Sequence, residues 1–92
     1  MTLRNKKILI IIGGGIAAYK SLDLIRLLKK ENVEVKTILT KSGKEFVTPL
    51  SLTTLTKSKT HEDLFDKNSE AEIDHITLSR WADLVIVIPT TA

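Results

Sequence analysis

Lys7-Ile8-Leu9-Ile10-Ile11-Ile12 runs directly into Gly13-Gly14-Gly15, and a helical period follows; no other stretch constrains the fold as much. An apolar, largely β-branched run without alternation suits a strand covered on both faces, as in a parallel sheet. Three glycines then let the backbone turn sharply. From Ile16 to about Lys30 the spacing changes. Ala18, Leu22, Ile25 and Lys29 follow one helical line, with Ala17, Leu24, Leu27 and Leu28 beside it. Lys20, Asp23, Arg26 and Lys30 take the opposite face. Lys29 and Lys30 suit the negative pole of the helix, and Asn32 is a stop signal. Val33 to Leu39 resumes a strand pattern. Strand, glycine turn, helix and strand in so short a span predict a βαβ unit with a right-handed crossover.

The rest of the chain carries weaker signals. Thr40-Lys41-Ser42-Gly43 reads as a loop beyond the second strand, with a short helix over Gly43 to Phe46. Thr48-Pro49 reads as an N-cap followed by proline at the first helical position, with Leu50, Leu52 and Leu55 on the apolar side. Lys57 to Asn68 is polar and turn-like. Ile76 and Leu78 alternate with Thr77 and Ser79, the pattern of a short strand. Leu84-Val85-Ile86-Val87-Ile88 is a second continuous apolar strand, which Pro89 ends. The sequence stops at Ala92, and a doubly wound sheet requires more strands than these. The expectation is therefore an α/β domain truncated to about half, or one completed by another chain, with the last strand's edge open.

Composition narrows the class. With 42% hydrophobic and 27% charged residues, the 92-residue chain is an ordinary globular sequence rather than a disordered one. No apolar run approaches the ~20 residues that span a bilayer. The basic flank of Arg4, Lys6 and Lys7 precedes an apolar run too short for a signal peptide, so a cytoplasmic location without membrane contact is expected. There is no cysteine, hence no disulfide, thiolate metal site or cysteine nucleophile on this chain. His61 and His75 stand too far apart for a compact metal-ligand pair, and no metal site is predicted. Residues 1–60 hold twelve Lys/Arg against four Asp/Glu, while 61–92 hold two against seven. The basic residues are dispersed and aromatics make up 4%, which argues against a nucleic-acid partner and for solvated helix faces with some pull on an anionic ligand.

The glycine turn is the strongest candidate site. It joins a strand to a helix whose unpaired N–H groups and positive dipole end favour a phosphate. In open α/β sheets ligands lie beyond the carboxyl ends of the strands, where this turn is expected. The bland reading is a turn needed only for tight strand–helix packing. Gly13, Gly15 and Ala18 also satisfy G-x-G-x-x-A, but that fingerprint wants an acidic residue at the end of the second strand. Here the end reads Leu39-Thr40-Lys41, which disfavours NAD, leaves NADP open through Lys41, and fits a mononucleotide better.

Several segments together resemble one family: Gly14-Gly15-Ile16-Ala17-Ala18-Tyr19-Lys20, Thr40-Lys41-Ser42, Glu45-Phe46-Val47-Thr48-Pro49-Leu50, Asp63-Leu64-Phe65, His75-Ile76-Thr77-Leu78-Ser79-Arg80-Trp81-Ala82-Asp83-Leu84 and Pro89-Thr90-Thr91-Ala92. In order and spacing they resemble the amino-terminal part of the phosphopantothenoylcysteine decarboxylases, within the homo-oligomeric FMN-containing cysteine decarboxylases. The resemblance covers essentially all of 1–92 and implies a flavodoxin-like, Rossmann-like doubly wound sheet with bound FMN. It implies decarboxylation of 4′-phosphopantothenoylcysteine to 4′-phosphopantetheine in coenzyme A biosynthesis. By the same resemblance, the flavin would oxidise the cysteinyl thiol side first, to a thioaldehyde-type intermediate that loses CO₂ easily, and the reduced flavin would return a hydride equivalent, so that the cofactor carries the hard chemistry. By resemblance, Gly14, Gly15 and Ile16 lie at the FMN phosphate, while Thr40, Ser42 and Thr91 lie at the flavin. His75 matches the family's essential histidine, the base of the oxidative step. Trimer-based assembly, or association with the missing half-domain, is also implied.

The residues also admit plainer roles. A histidine beside Asp74 is commonly a surface residue paired with a carboxylate, Thr40 and Ser42 are able to cap the next helix, Trp81 suits packing, and His61 suits a solvated loop. The family's turn carries a serine or threonine before the double glycine, where this chain has Gly13. Its asparagine that holds the substrate carboxylate would follow Ala92, and its reductive-step cysteine is absent, so the fragment is expected to be inactive alone. Two alternatives stand beside the enzyme fragment: a non-catalytic FMN- or nucleotide-binding or oligomer-interaction module, and an NADP-binding Rossmann fragment.

Overall fold

The computed structural model describes residues 4–15, 18–63 and 76–88. Strands β1 (Lys7–Ile12), β2 (Glu34–Thr40), β3 (Thr60–Asp63) and β4 (Leu84–Ile88) form one sheet in the order β3-β2-β1-β4. Every pairing is parallel. Ile8 lies opposite Val35 and Leu84, Ile12 opposite Leu39 and Ile88, and Thr37 opposite Thr60. Helices α1 (Ala18–Lys30) and α2 (Pro49–Thr56) pack with the face bearing Ile8, Ile10, Ile12, Val35 and Leu39. On the other face a helix at 76–81, α3, sets Leu78 against Leu9 and Ile38. β1 is thus central and covered on both sides, the condition that its unbroken apolar run implied.

Local signals account for the first βαβ unit. Ala18, Ser21, Ile25 and Leu28 are the buried line of α1. Ser21 occupies that line because its hydroxyl donates to the Ala18 carbonyl, leaving no unpaired polar atom. Asn32 adopts φ 58°, its N–H reaches the Lys29 carbonyl and the Val33 N–H reaches that of Leu28. The helix therefore ends where an asparagine tolerates the left-handed turn. Thr48 caps α2 as expected, its hydroxyl accepting from the Ser51 N–H at 3.1 Å with Pro49 next in line.

Four expectations need correction. The Lys57–Asn68 stretch is not all turn, since Thr60–Asp63 forms β3. An edge strand pairs on one side and needs no apolar sequence; Thr60 is buried because its hydroxyl bonds the Thr53 hydroxyl and the Pro49 carbonyl. His61 accordingly lies in a strand opposite Ile38, half-buried, rather than in a solvated loop. Ile76–Ser79 is helical, not a strand: four residues cannot distinguish a period of two from one of 3.6, and the Ala82 N–H to Leu78 carbonyl bond fixes the latter. Leu50 does not join the core, being 75% exposed, because Leu52 is the residue its helix turns inward. β4 is an edge among the described residues, and Leu84, Val85 and Val87 are exposed, which is the open edge the sequence implied.

Candidate functional site

The order of the sheet reverses at β1, which has β2 on one side and β4 on the other. In open α/β sheets this is where the crevice at the carboxyl ends receives ligands. The glycine turn lies there. The Gly13 N–H donates to the Ile88 carbonyl at 3.1 Å, tying the turn to the end of β4. Gly14 is buried, and Gly15 takes φ 102°, a conformation that side chains resist. The Gly15 carbonyl accepts from the Ala18 N–H at 3.0 Å and so starts α1. The N–H groups of Gly14 and Gly15 have no acceptor among the described residues. Two consecutive uncommitted donors before a helix are what a phosphate requires.

The loop after β2 forms the second wall. The Thr40 hydroxyl accepts from the Gly43 N–H at 3.1 Å and shapes the short 3₁₀ turn Gly43–Glu45. Ser42 precedes that turn without capping it, and its exposed hydroxyl is uncommitted among the described residues. Of the two hydroxyls in this loop, Thr40 has a structural task and Ser42 has none.

Gly43 is the residue that sequence reasoning missed. A β-carbon there would lie 2.8 Å from the Ile12 carbonyl oxygen, 2.8 Å from Leu39 Cδ1 and 3.2 Å from the Gly13 carbonyl oxygen. Only a glycine lets the β2 loop rest directly on the backbone of the glycine turn. The available signal was a glycine following a candidate serine in a strand–helix loop. Its contact with Ile12 is not visible in the sequence. Beside it, the Tyr19 ring at the start of α1 meets the Phe46 ring edge-on, with centroids 5.8 Å apart. Lys44 pairs with Glu62 of β3 at 2.6 Å, a partly exposed bridge that adds little stability by itself.

The described structure thus brings together Gly14, Gly15, Thr40 and Ser42 at one end of the sheet. The remaining sequence candidates, Ile16, His75 and Thr91, lie outside the described residues. Trp81 is half-buried with the Lys36 ammonium 4.6 Å from its ring centroid, consistent with a packing role. A hollow of about 690 Å³ lined by Asp23, Arg26, Leu27, Lys29, Lys30 and Leu55 contains none of the site residues. Its apolar floor is the outer side of α1 and α2. Among the described residues no helix is long and apolar enough to cross a membrane.

Comparison with known proteins agrees with this fold. The family model described as Flavoprotein matches residues 1–92. The chain is 47% identical over 91 residues to the coenzyme A biosynthesis bifunctional protein CoaBC of Vibrio vulnificus, covering 99% of this chain and 23% of the relative. It therefore spans about a quarter of the length of the curated relatives it matches. Among solved structures, a PPC decarboxylase mutant complexed with pantothenoylaminoethenethiol is similar with a TM-score of 0.63 and 27% identity, over 94% of this chain and 48% of that one. The FMN-dependent cysteine decarboxylase SpaF reaches a TM-score of 0.75 at 20% identity, over 97% of this chain and 51% of that one, a likeness of fold. The shared architecture is α/β and flavodoxin-like, with this chain matching about half of each structure.

Proposed function

The chain belongs to the Flavoprotein family, and we propose that it supplies the phosphate-binding half of an FMN site that decarboxylates 4′-phosphopantothenoylcysteine to 4′-phosphopantetheine in coenzyme A biosynthesis. The observation that carries this reading is the pair of uncommitted N–H groups on Gly14 and Gly15, at the switch point of the sheet. The donors fit a phosphate, and the Gly15 φ of 102° keeps the approach free of a side chain. Gly14, Gly15 and Ile16 hold the phosphate; Thr40, Ser42 and Thr91 line the flavin. Bound FMN supplies two-electron redox chemistry. Within these residues, Ser42 offers its hydroxyl to the ring system, Thr40 fixes the loop, and His75 takes a proton in the oxidative step. The 92 residues correspond to the amino-terminal part of the flavoprotein domain. They hold no cysteine, so the reductive acid comes from elsewhere in the assembled enzyme.

The name of the Vibrio vulnificus relative and the likeness to a PPC decarboxylase support this choice of substrate. Leu84, Val85 and Val87, exposed along β4, support a covering neighbour, which is either the other half of the domain or another protomer of a trimer-based assembly. The enzyme works in the cytoplasm, with no membrane or nucleic-acid partner. The test is titration of FMN with the purified chain, read by quenching of flavin fluorescence, with NADPH as control. Saturable FMN binding without NADPH binding is expected. A folded chain that prefers NADPH would replace this reading with a Rossmann dehydrogenase fragment.

A further inference from the structure

The two walls of the site are held by different means. On the inside, Gly43 sits against the carbonyls of Ile12 and Gly13, which sets a minimum spacing and supplies no attraction. On the outside, the Tyr19 ring of α1 meets the Phe46 ring just past the 3₁₀ turn, 5.8 Å between centroids and 87° between planes. Tyr19 is 53% exposed and lies outside the buried line of α1, so core packing does not explain its orientation. Phe46 is half-buried and packs partly on the core, and its N–H is tied to the Gly43 carbonyl. The edge-to-face contact is therefore a direct side-chain link between the first turn of α1 and the loop that carries Ser42.

We propose that Tyr19 and Phe46 are positioning residues of the flavin site, a latch that fixes the distance between the phosphate turn and Ser42. The proposal rests on the FMN reading above and adds to it a role for two residues outside the set assigned there to the phosphate and the flavin. A ligand that spans both walls gains from their being held at one separation before it arrives, because less ordering is left for the binding step. An aromatic pair of this geometry is worth a modest amount, so the expected effect is about three- to tenfold in affinity.

The test combines two measurements on the 92-residue chain. FMN affinity is measured for Tyr19→Ala, Phe46→Ala, the double variant and Tyr19→Phe. Amide exchange at Glu45, Phe46 and Val47, whose N–H groups close the 3₁₀ turn, is measured without ligand. The latch predicts that each alanine variant weakens FMN binding about three- to tenfold, that the double variant is no worse than the weaker single one, and that Tyr19→Phe stays within about twofold of the parent. It also predicts faster exchange at Phe46 and Val47 in Tyr19→Ala, with the core amides of Ile25 and Leu28 unchanged. Additive losses in the double variant overturn it, as does a Tyr19→Phe affinity as poor as that of Tyr19→Ala, which would make the hydroxyl a ligand contact. Unchanged exchange at Phe46 and Val47 overturns it too. If the parent chain binds no FMN, the reading of the site fails, while the ligand-free exchange result still upholds or overturns the link between the walls.

Discussion

Gly43 and Ile12 are in backbone contact: a β-carbon on Gly43 would come within 2.8 Å of the Ile12 carbonyl oxygen. The closest neighbours are a carbonyl of the central strand and a buried leucine, so neither gives way easily. Gly43→Val should destabilise the chain by about 1–3 kcal/mol, the range for overpacking a filled site. Urea unfolding measures it, and a change below about 0.5 kcal/mol would show that the loop shifts freely off the turn.

Thr40 and Ser42 separate by the same logic. The Thr40 hydroxyl accepts from the Gly43 N–H, whereas Ser42 makes no capping bond. Thr40→Ala should lower stability by about 1 kcal/mol, as loss of a capping bond does, and weaken FMN binding with it. Ser42→Ala should leave the unfolding midpoint unchanged and weaken only the affinity. Loss of stability in Ser42→Ala with unaltered affinity would reverse the roles assigned to the two hydroxyls.

Thr37 is fully buried in β2 between Ile10 and Thr60, and its hydroxyl has no hydrogen-bond partner among the described residues. Valine has the same shape without the stranded hydroxyl. Thr37→Val should stabilise the chain by about 1 kcal/mol, set by the desolvation of an unpaired polar group. Thermal or urea unfolding decides it; destabilisation would mean that the hydroxyl has a partner.

Thr48 accepts from the Ser51 N–H at the start of α2, a helix of eight residues and too short to persist without support. Thr48→Ala should cost about 1 kcal/mol and Thr48→Asp close to nothing, because aspartate caps equally well. Equal losses in both variants would assign the contribution to the threonine methyl instead of the cap.

The legible part of this molecule is the part governed by neighbours in sequence. The run Ile8–Ile12, the glycines after it, the line through Ala18 and Ile25, the left-handed stop at Asn32 and the Thr48-Pro49 cap all act over a few residues, and each stands as read. Features set through space were hidden. β3 is a strand because β2 offers an edge to Thr60–Asp63, not because Thr-His-Glu-Asp favours extension. Leu78 is buried by a helix because Leu9 and Ile38 need cover, which four alternating residues did not reveal. Of the candidate site, Gly14 and Gly15 follow from the strand–glycine–helix pattern, and Thr40 and Ser42 from the family resemblance. Gly43 and the Tyr19–Phe46 contact follow from neither, since each depends on a partner in another element.

On the proposed reading, the turn at Gly14 and Gly15 holds the phosphate of FMN. The most direct test compares FMN with riboflavin, which lacks the phosphate, on the parent chain and on Gly15→Val, with far-UV circular dichroism confirming that both are folded. The φ of 102° at Gly15 resists a β-branched side chain, and its bulk would occupy the approach to both N–H groups. The parent should bind FMN at least about tenfold more tightly than riboflavin, a phosphate held by two backbone donors being worth more than one ordinary hydrogen bond. Gly15→Val should remove this preference. Equal binding of FMN and riboflavin by the folded parent, or an FMN preference that survives in Gly15→Val, would contradict that reading.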